Sequence, residues 1–95
     1  MDTKDEFVRK LHSKLDQCKN EIDALVAKVD QTEEQVQAEF RKQIEALHSK
    51  REEAHKKLHE VEQASESAWG DMKMGIEMAV DDISEAINSA ISRFK

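Results

Sequence analysis

The sequence predicts an all-α protein built from long helices packed side by side. Three observations predict it. The 95 residues contain no proline, and the two glycines, Gly70 and Gly75, come late. Those two residue types interrupt helices most strongly, so the first 69 positions hold no strong breaker. Hydrophobic side chains recur every three and four residues, the spacing of one helical face. Charged residues make up 38% and aromatic residues 4%, which leaves too little apolar bulk for a broad core but enough for narrow buried stripes.

The first element begins near Thr3. Val8, Leu15, Ile22, Val29 and Val36 take heptad position a, and Leu11, Cys18, Leu25 and Thr32 take d. A repeat sustained over about four heptads is a coiled-coil signature. Phe7 and Val26 widen this stripe on its flank. At residues 30–35 the chain offers a turn, since Thr32 and Gln35 have the spacing of a capping box. Against a turn, the heptad phase passes unchanged from Val29 through Thr32 to Val36, and no Gly or Asn closes the preceding helix. The sequence therefore favours one continuous helix over about 3–62. A compact bundle with helices at about 3–29, 33–62 and 67–94 is the alternative.

Val36, Phe40, Ile44 and Leu47 then step by four, four and three, an eleven-residue element that relaxes the left-handed supercoil. Heptads resume with Ile44, Arg51 and Leu58 at a and Leu47, Ala54 and Val61 at d. Arg51 can pack its stem while its head reaches water. Periodicity lapses at residues 63–67, where Ser65 and Ser67 suit a helix N-cap. The last helix, about 67–94, repeats with period eleven through Trp69, Met72, Ile76, Val80, Ile83, Ile87, Ile91 and Phe94. Its apolar face is wider than a heptad seam, and these eight residues are the expected docking face.

Length sets the geometry. A helix over 3–62 spans roughly 90 Å and the last helix roughly 40 Å, at ~1.5 Å per residue. Folded back as a hairpin, the last helix covers only the stretch from about Val36 to Val61. Val8, Leu11, Leu15, Cys18, Ile22, Leu25, Val29 and Val36 would then form an uncovered seam. An apolar row of that length calls for self-association, most simply as a homodimer. The bundle has no such need.

Composition excludes several classes of function. Residues 1–95 are one small domain at most. A formal net charge of −6 with no net basic segment argues against nucleic acid, whose binding rests on neutralising phosphates. A single cysteine forms no intrachain disulfide. No apolar stretch approaches the ~20 residues of a membrane span. The acidic, mixed start lacks the basic and apolar regions of a signal peptide, so the expected compartment is the cytoplasm.

Few residues carry chemistry. His48, Glu52, His55, His59 and Glu62 share one helical face, and His55 and His59 at i and i+4 have chelating spacing. They also fit a solvated flank at heptad positions e and b. One helix supplies two nitrogens where a structural zinc site needs four converging ligands, so metal binding is expected to be weak and no cofactor is expected. Cys18 at d reads as a small buried hydrophobe, able to cross-link a parallel dimer. Glu52–Lys56, Glu53–Lys57, Asp5–Arg9 and Glu6–Lys10 have the order of helix ion pairs. The last helix also has the period of lipid-surface helices, but its acidic polar face disfavours anionic membranes. No catalytic constellation stands out, and a non-enzyme is expected.

Ala68-Trp69-Gly70-Asp71-Met72-Lys73-Met74-Gly75-Ile76-Glu77 and the ending Ala90-Ile91-Ser92-Arg93-Phe94-Lys95 resemble small bacterial coiled-coil proteins of a family linked to the stress response. Lys42 to Leu47 and Lys50 to Ala54 are similar to it too. The distinctive parts are Trp-x-x-Met-Lys-x-Gly-x-Glu and the Ser-Arg-Phe-Lys tail. The resemblance implies a coiled-coil fold and brings no catalytic residues. The expected function is a non-catalytic, self-associating interaction or scaffold protein with a protein partner. The alternative is an amphipathic lipid- or client-binding protein.

Overall fold

Three helices of nearly equal length, α1 (Lys4–Asp30), α2 (Glu34–Gln63) and α3 (Glu66–Phe94), pack against one another in a computed structural model that describes residues 3–94. Arg51 on α2 bonds to Leu15 on α1, and His12 bonds to Glu62, so α1 and α2 run antiparallel. Phe7 meets Trp69 and Cys18 meets Ser84, so α1 and α3 run parallel. The result is an up-down-up bundle with extents of 51 × 19 × 16 Å.

The continuous helix expected over 3–62 is not formed. A rod of roughly 90 Å, at ~1.5 Å per residue, does not fit a body 51 Å long. The chain turns at residues 31–33, between α1 and α2. Unchanged heptad phase argued against this turn, but phase does not discriminate. Val29 and Val36 must both face the interior whether they lie on one helix or close the two arms of a hairpin. The missing Gly or Asn does not matter either, because side chains satisfy the helix end. The Thr32 hydroxyl donates to the Val29 carbonyl at 2.5 Å. The Gln37 amide donates to the Asp30 and Thr32 carbonyls, both at 3.0 Å. Thr32 thus ends α1 and does not cap α2, whose N-cap is Glu33 with no side-chain bond.

Magnitudes favour the bundle. The turn forgoes a few helical hydrogen bonds worth about 1 kcal/mol each net. Folding back buries Phe7, Leu11, Leu15, Cys18, Ile22, Leu25 and Val29, and full burial of a large apolar side chain is worth roughly 1.5–3 kcal/mol. Burial wins several-fold. The core is completed by Phe40, Leu47, Ala54, Leu58 and Val61 of α2 and by Ile76, Val80, Ile83, Ile87 and Ala90 of α3. No polar or charged side chain is buried among the described residues.

Each helix end has a local cause. The Thr3 hydroxyl caps α1 by accepting from the Glu6 amide at 3.2 Å. Ser65 caps α3 by accepting from the Ala68 amide at 3.3 Å, so α3 starts at Glu66, one residue earlier than expected. The last turn of α2 holds no basic residue. Lys4 of α1 fills that role from across the bundle, its ammonium donating to the Glu62 carbonyl at 3.0 Å and the Ala64 carbonyl at 2.8 Å. A cation there complements the negative end of the α2 dipole.

The wide face of α3 reflects two neighbours. Trp69 packs on Phe7 of α1 (centroids 5.4 Å apart) at one end, and Phe94 packs edge-on against Phe40 of α2 (5.5 Å) at the other. The hairpin placed α3 over only the stretch from about Val36 to Val61; in the bundle the Trp69 ring also meets α1. Lys73 extends its ammonium over both rings, 5.5 Å from Phe7 and 5.6 Å from Trp69.

Ile22 is fully buried, and Ile22→Ala should cost about 2–5 kcal/mol in urea unfolding. A loss under about 1 kcal/mol would contradict its place in a close-packed interior. Lys4→Met should cost about 1 kcal/mol by the same assay, and an unchanged midpoint would remove Lys4 as the cap of α2.

Candidate functional site

A polar cluster lies along the α1–α2 seam, toward the N-terminal end of α1. The core stripes position it. His12 follows buried Leu11, and Glu62 follows buried Val61, so both stand at the edge of the same seam, half-buried. The His12 Nε2 lies 2.5 Å from Glu62 Oε1. A carboxylate only accepts, so Nε2 carries the shared proton. His59 reaches the other oxygen, its Nδ1 3.7 Å from Oε2. The His55 ring stands edge-on to His12, with centroids 5.7 Å apart. Three of the four histidines and one carboxylate thus meet across two helices.

The electrostatics follow from this contact. The hydrogen bond from His12 holds the Glu62 carboxyl below its ordinary range, more than its partial burial raises it, and the nearby His59 and His55 act in the same direction. Lys4 binds only the main-chain oxygen of Glu62, so the carboxylate faces the imidazoles.

Further along the seam, the Arg51 head turns back to α1 at the edge of the bundle, its side chain 20% exposed. Its Nε donates to the Leu15 carbonyl at 3.2 Å, and its Nη2 lies 4.0 Å from the Asp16 carboxylate. Lys50 joins α2 to α3 through Asp82 at 2.9 Å. Among the described residues, the ion pairs that close are mostly between helices. The expected pairs Glu52–Lys56, Glu53–Lys57, Asp5–Arg9 and Glu6–Lys10 are not among them.

The seam assigned to self-association lies inside the chain. Leu11, Leu15, Cys18, Ile22, Leu25 and Val29 are buried, and Val8 and Val36 pack partly buried against the same core. The premise of an uncovered row is absent. Cys18 faces the Ser84 hydroxyl of α3 at 3.9 Å, and burial pushes its thiol up. On the docking helix, Ile76, Val80, Ile83 and Ile87 are buried, while Trp69, Met72, Ile91 and Phe94 are partly buried against the core. His48 is exposed on α2, about 10 Å before His55 along the axis at ~1.5 Å per residue. It stands outside the cluster.

Sequence reasoning found the α2 half of the site and missed His12 and Lys4. The signal was present. His12 and Glu62 both sit at heptad position e, the flank that lines a seam, but pairing them requires the turn at residues 31–33. A second feature was also missed. Met74 and Met78, one turn apart on α3, are among the described residues the large hydrophobics left exposed, at 73% and 65%. Neither glycine has a positive φ, and a side chain at either would meet nothing within 4 Å.

Comparison with protein-family models, with curated proteins and with solved structures gives no match for this chain. No helix among the described residues is long and apolar enough to cross a membrane.

His12→Ala should raise the Glu62 pKa toward its ordinary value, read by side-chain carbon shifts in an NMR titration. The depressed value means that Glu62 contributes stability above the ordinary carboxylate range and loses it as pH falls through its folded pKa. An unchanged Glu62 titration in His12→Ala would show that the contact has no electrostatic weight.

Proposed function

We propose that the protein is a non-catalytic helical interaction module, and that it pairs with a second copy of itself through the outer face of α3. One observation carries the reading. Met74 and Met78 point away from the core, on the side of α3 opposite Ile76, Val80, Ile83 and Ile87. Gly70 lies one turn before Met74 on that face. A glycine inside a helix costs about 1 kcal/mol relative to alanine, and nothing in the chain's own packing accounts for either one. A second helix would. In an antiparallel two-fold crossing centred on Met74, Gly70 of one copy lies opposite Met78 of the other, a small residue receiving a large one. The patch is short, so the pairing is weak and reversible. Asp71 and Glu77 flank it, so added salt strengthens it.

The lipid-binding reading has less support. The wide apolar face of α3 is spent on the core, and lipid contact through that face requires the bundle to open. The resemblance over residues 68–77 extends the proposal to a stress-response setting, on sequence likeness alone.

Sedimentation and light scattering decide the matter. The wild type should dimerise at high micromolar concentration, and Met74→Glu with Met78→Glu should stay monomeric with an unchanged helical signal. A wild type that stays monomeric throughout would overturn self-pairing. Binding of the monomer to neutral vesicles would favour the lipid reading.

A further inference from the structure

We propose that Met74 and Met78 form an oxidation site: hydrogen peroxide converts both thioethers to sulfoxides, which stops α3 pairing with a second copy and leaves the bundle folded. The regulation rests on the self-pairing reading; the selectivity of the oxidation does not.

Burial sorts the sulfur atoms of this chain. Met1 lies outside the described residues, which leaves Cys18, Met72, Met74 and Met78 to compare. A cysteine ordinarily reacts first, through its thiolate. Cys18 is buried in the core, and burial pushes its thiol up, so the reactive thiolate is withheld. Met72 packs partly buried against the core. Met74 and Met78 stand in water.

The helix surface beside that pair is bare. Met74 and Met78 are four residues apart, so their side chains are neighbours on one face. Gly70 lies one turn before Met74, and Gly75 lies three residues before Met78. Both glycines are exposed and bring no side chain to cover the sulfur beside them. Asp71, Glu77, Asp81 and Asp82 lie three or four residues from one sulfur or the other. Hydrogen peroxide is uncharged, so this acidic border does not repel it.

The step balances. A lone pair on the thioether sulfur attacks one peroxide oxygen, and an S–O bond forms as the O–O bond breaks. The departing hydroxide takes the proton of the transferred hydroxyl and leaves as water. Sulfur gives up an electron pair, and peroxide is reduced. The product is polar and chiral. On a solvent-facing side chain it disturbs nothing in the core. At a contact between helices it sets a buried acceptor against main-chain amides already bonded within their own helix, which opposes pairing. A methionine sulfoxide reductase restores the thioether, the oxygen leaving as water while a dithiol is oxidised to a disulfide.

Peroxide treatment of the full chain at low micromolar concentration, where no partner covers the sulfurs, tests the site. Trypsin cuts after Lys73 and separates Met72 from Met74 and Met78 for mass spectrometry. Met74 and Met78 should each gain an oxygen more than about fivefold faster than Met72, with Cys18 unreacted. The oxidised chain should keep its helical signal. It should sediment as a monomer at the high micromolar concentration where the untreated chain dimerises, and reductase with dithiothreitol should restore the dimer. Met72→Leu should respond as the wild type does, whereas Met74→Leu with Met78→Leu should sediment alike before and after peroxide. Oxidation of Met72 or Cys18 as fast as of the exposed pair would overturn the site. So would loss of the helical signal once the pair is oxidised. A dimer that survives with both sulfoxides in place would overturn the switch alone, while an untreated chain that stays monomeric would overturn self-pairing and the switch with it.

Discussion

Burial of the α1 stripe, from Phe7 to Val29, is the constraint on which the rest of the structure depends. Those side chains have to leave water, and the chain can supply their cover itself. Once α2 folds back over α1, the groove between them is apolar along its length, and α3 fills it. Each helix then presents two contact lines where a coiled-coil dimer presents one. This explains why flank residues count. Phe7 sits beside the heptad stripe, yet it is buried against Trp69 while Val8, at position a, is only partly covered.

The polar groups follow from the same arrangement. The core is fully apolar, so charged and hydrogen-bonding side chains collect along the edges of the seams. There they join helices to one another: His12 to Glu62, Arg51 to Leu15 and Asp16, Lys50 to Asp82. Exposed ion pairs contribute little to stability. Their effect is to set register, and at the His12 end they assemble a cluster with chemistry that neither helix has alone. The outer face of α3 is the exception to this division, since it leaves two methionines in water.

The fold class and the helix boundaries were legible in the sequence. The three-helix alternative, at about 3–29, 33–62 and 67–94, lies within about a residue of the helices formed. The choice between it and the long helix was not legible, because Val29 and Val36 keep their phase in either case and because Thr32 and Gln37 close the turn without a glycine. The start of α1 near Thr3 was legible, while the Thr3 cap itself came from the structure. His55, His59 and Glu62 were readable as one face. The flank position of His12 was legible, but its partners were not, because they depend on which helix packs opposite, and periodicity within one element carries no information about that. Met74 and Met78 have no periodic signature, and only the location of the core reveals them as exposed.

The turn at residues 31–33 is the central claim, and one distance tests it. Lys10 on α1 and Glu60 on α2 are both exposed. In a Cys18→Ala background, Lys10→Cys and Glu60→Cys carry spin labels, and the labelled chain is diluted with unlabelled chain so that only distances within one molecule register. In the bundle the two sites are separated by at most its width of 19 Å plus the label arms. In a continuous helix they are roughly 75 Å apart at ~1.5 Å per residue. A short, narrow distance distribution from pulsed electron resonance is the predicted result. A distribution near the long value would contradict the bundle, and with it the meeting of His12 with the α2 histidines.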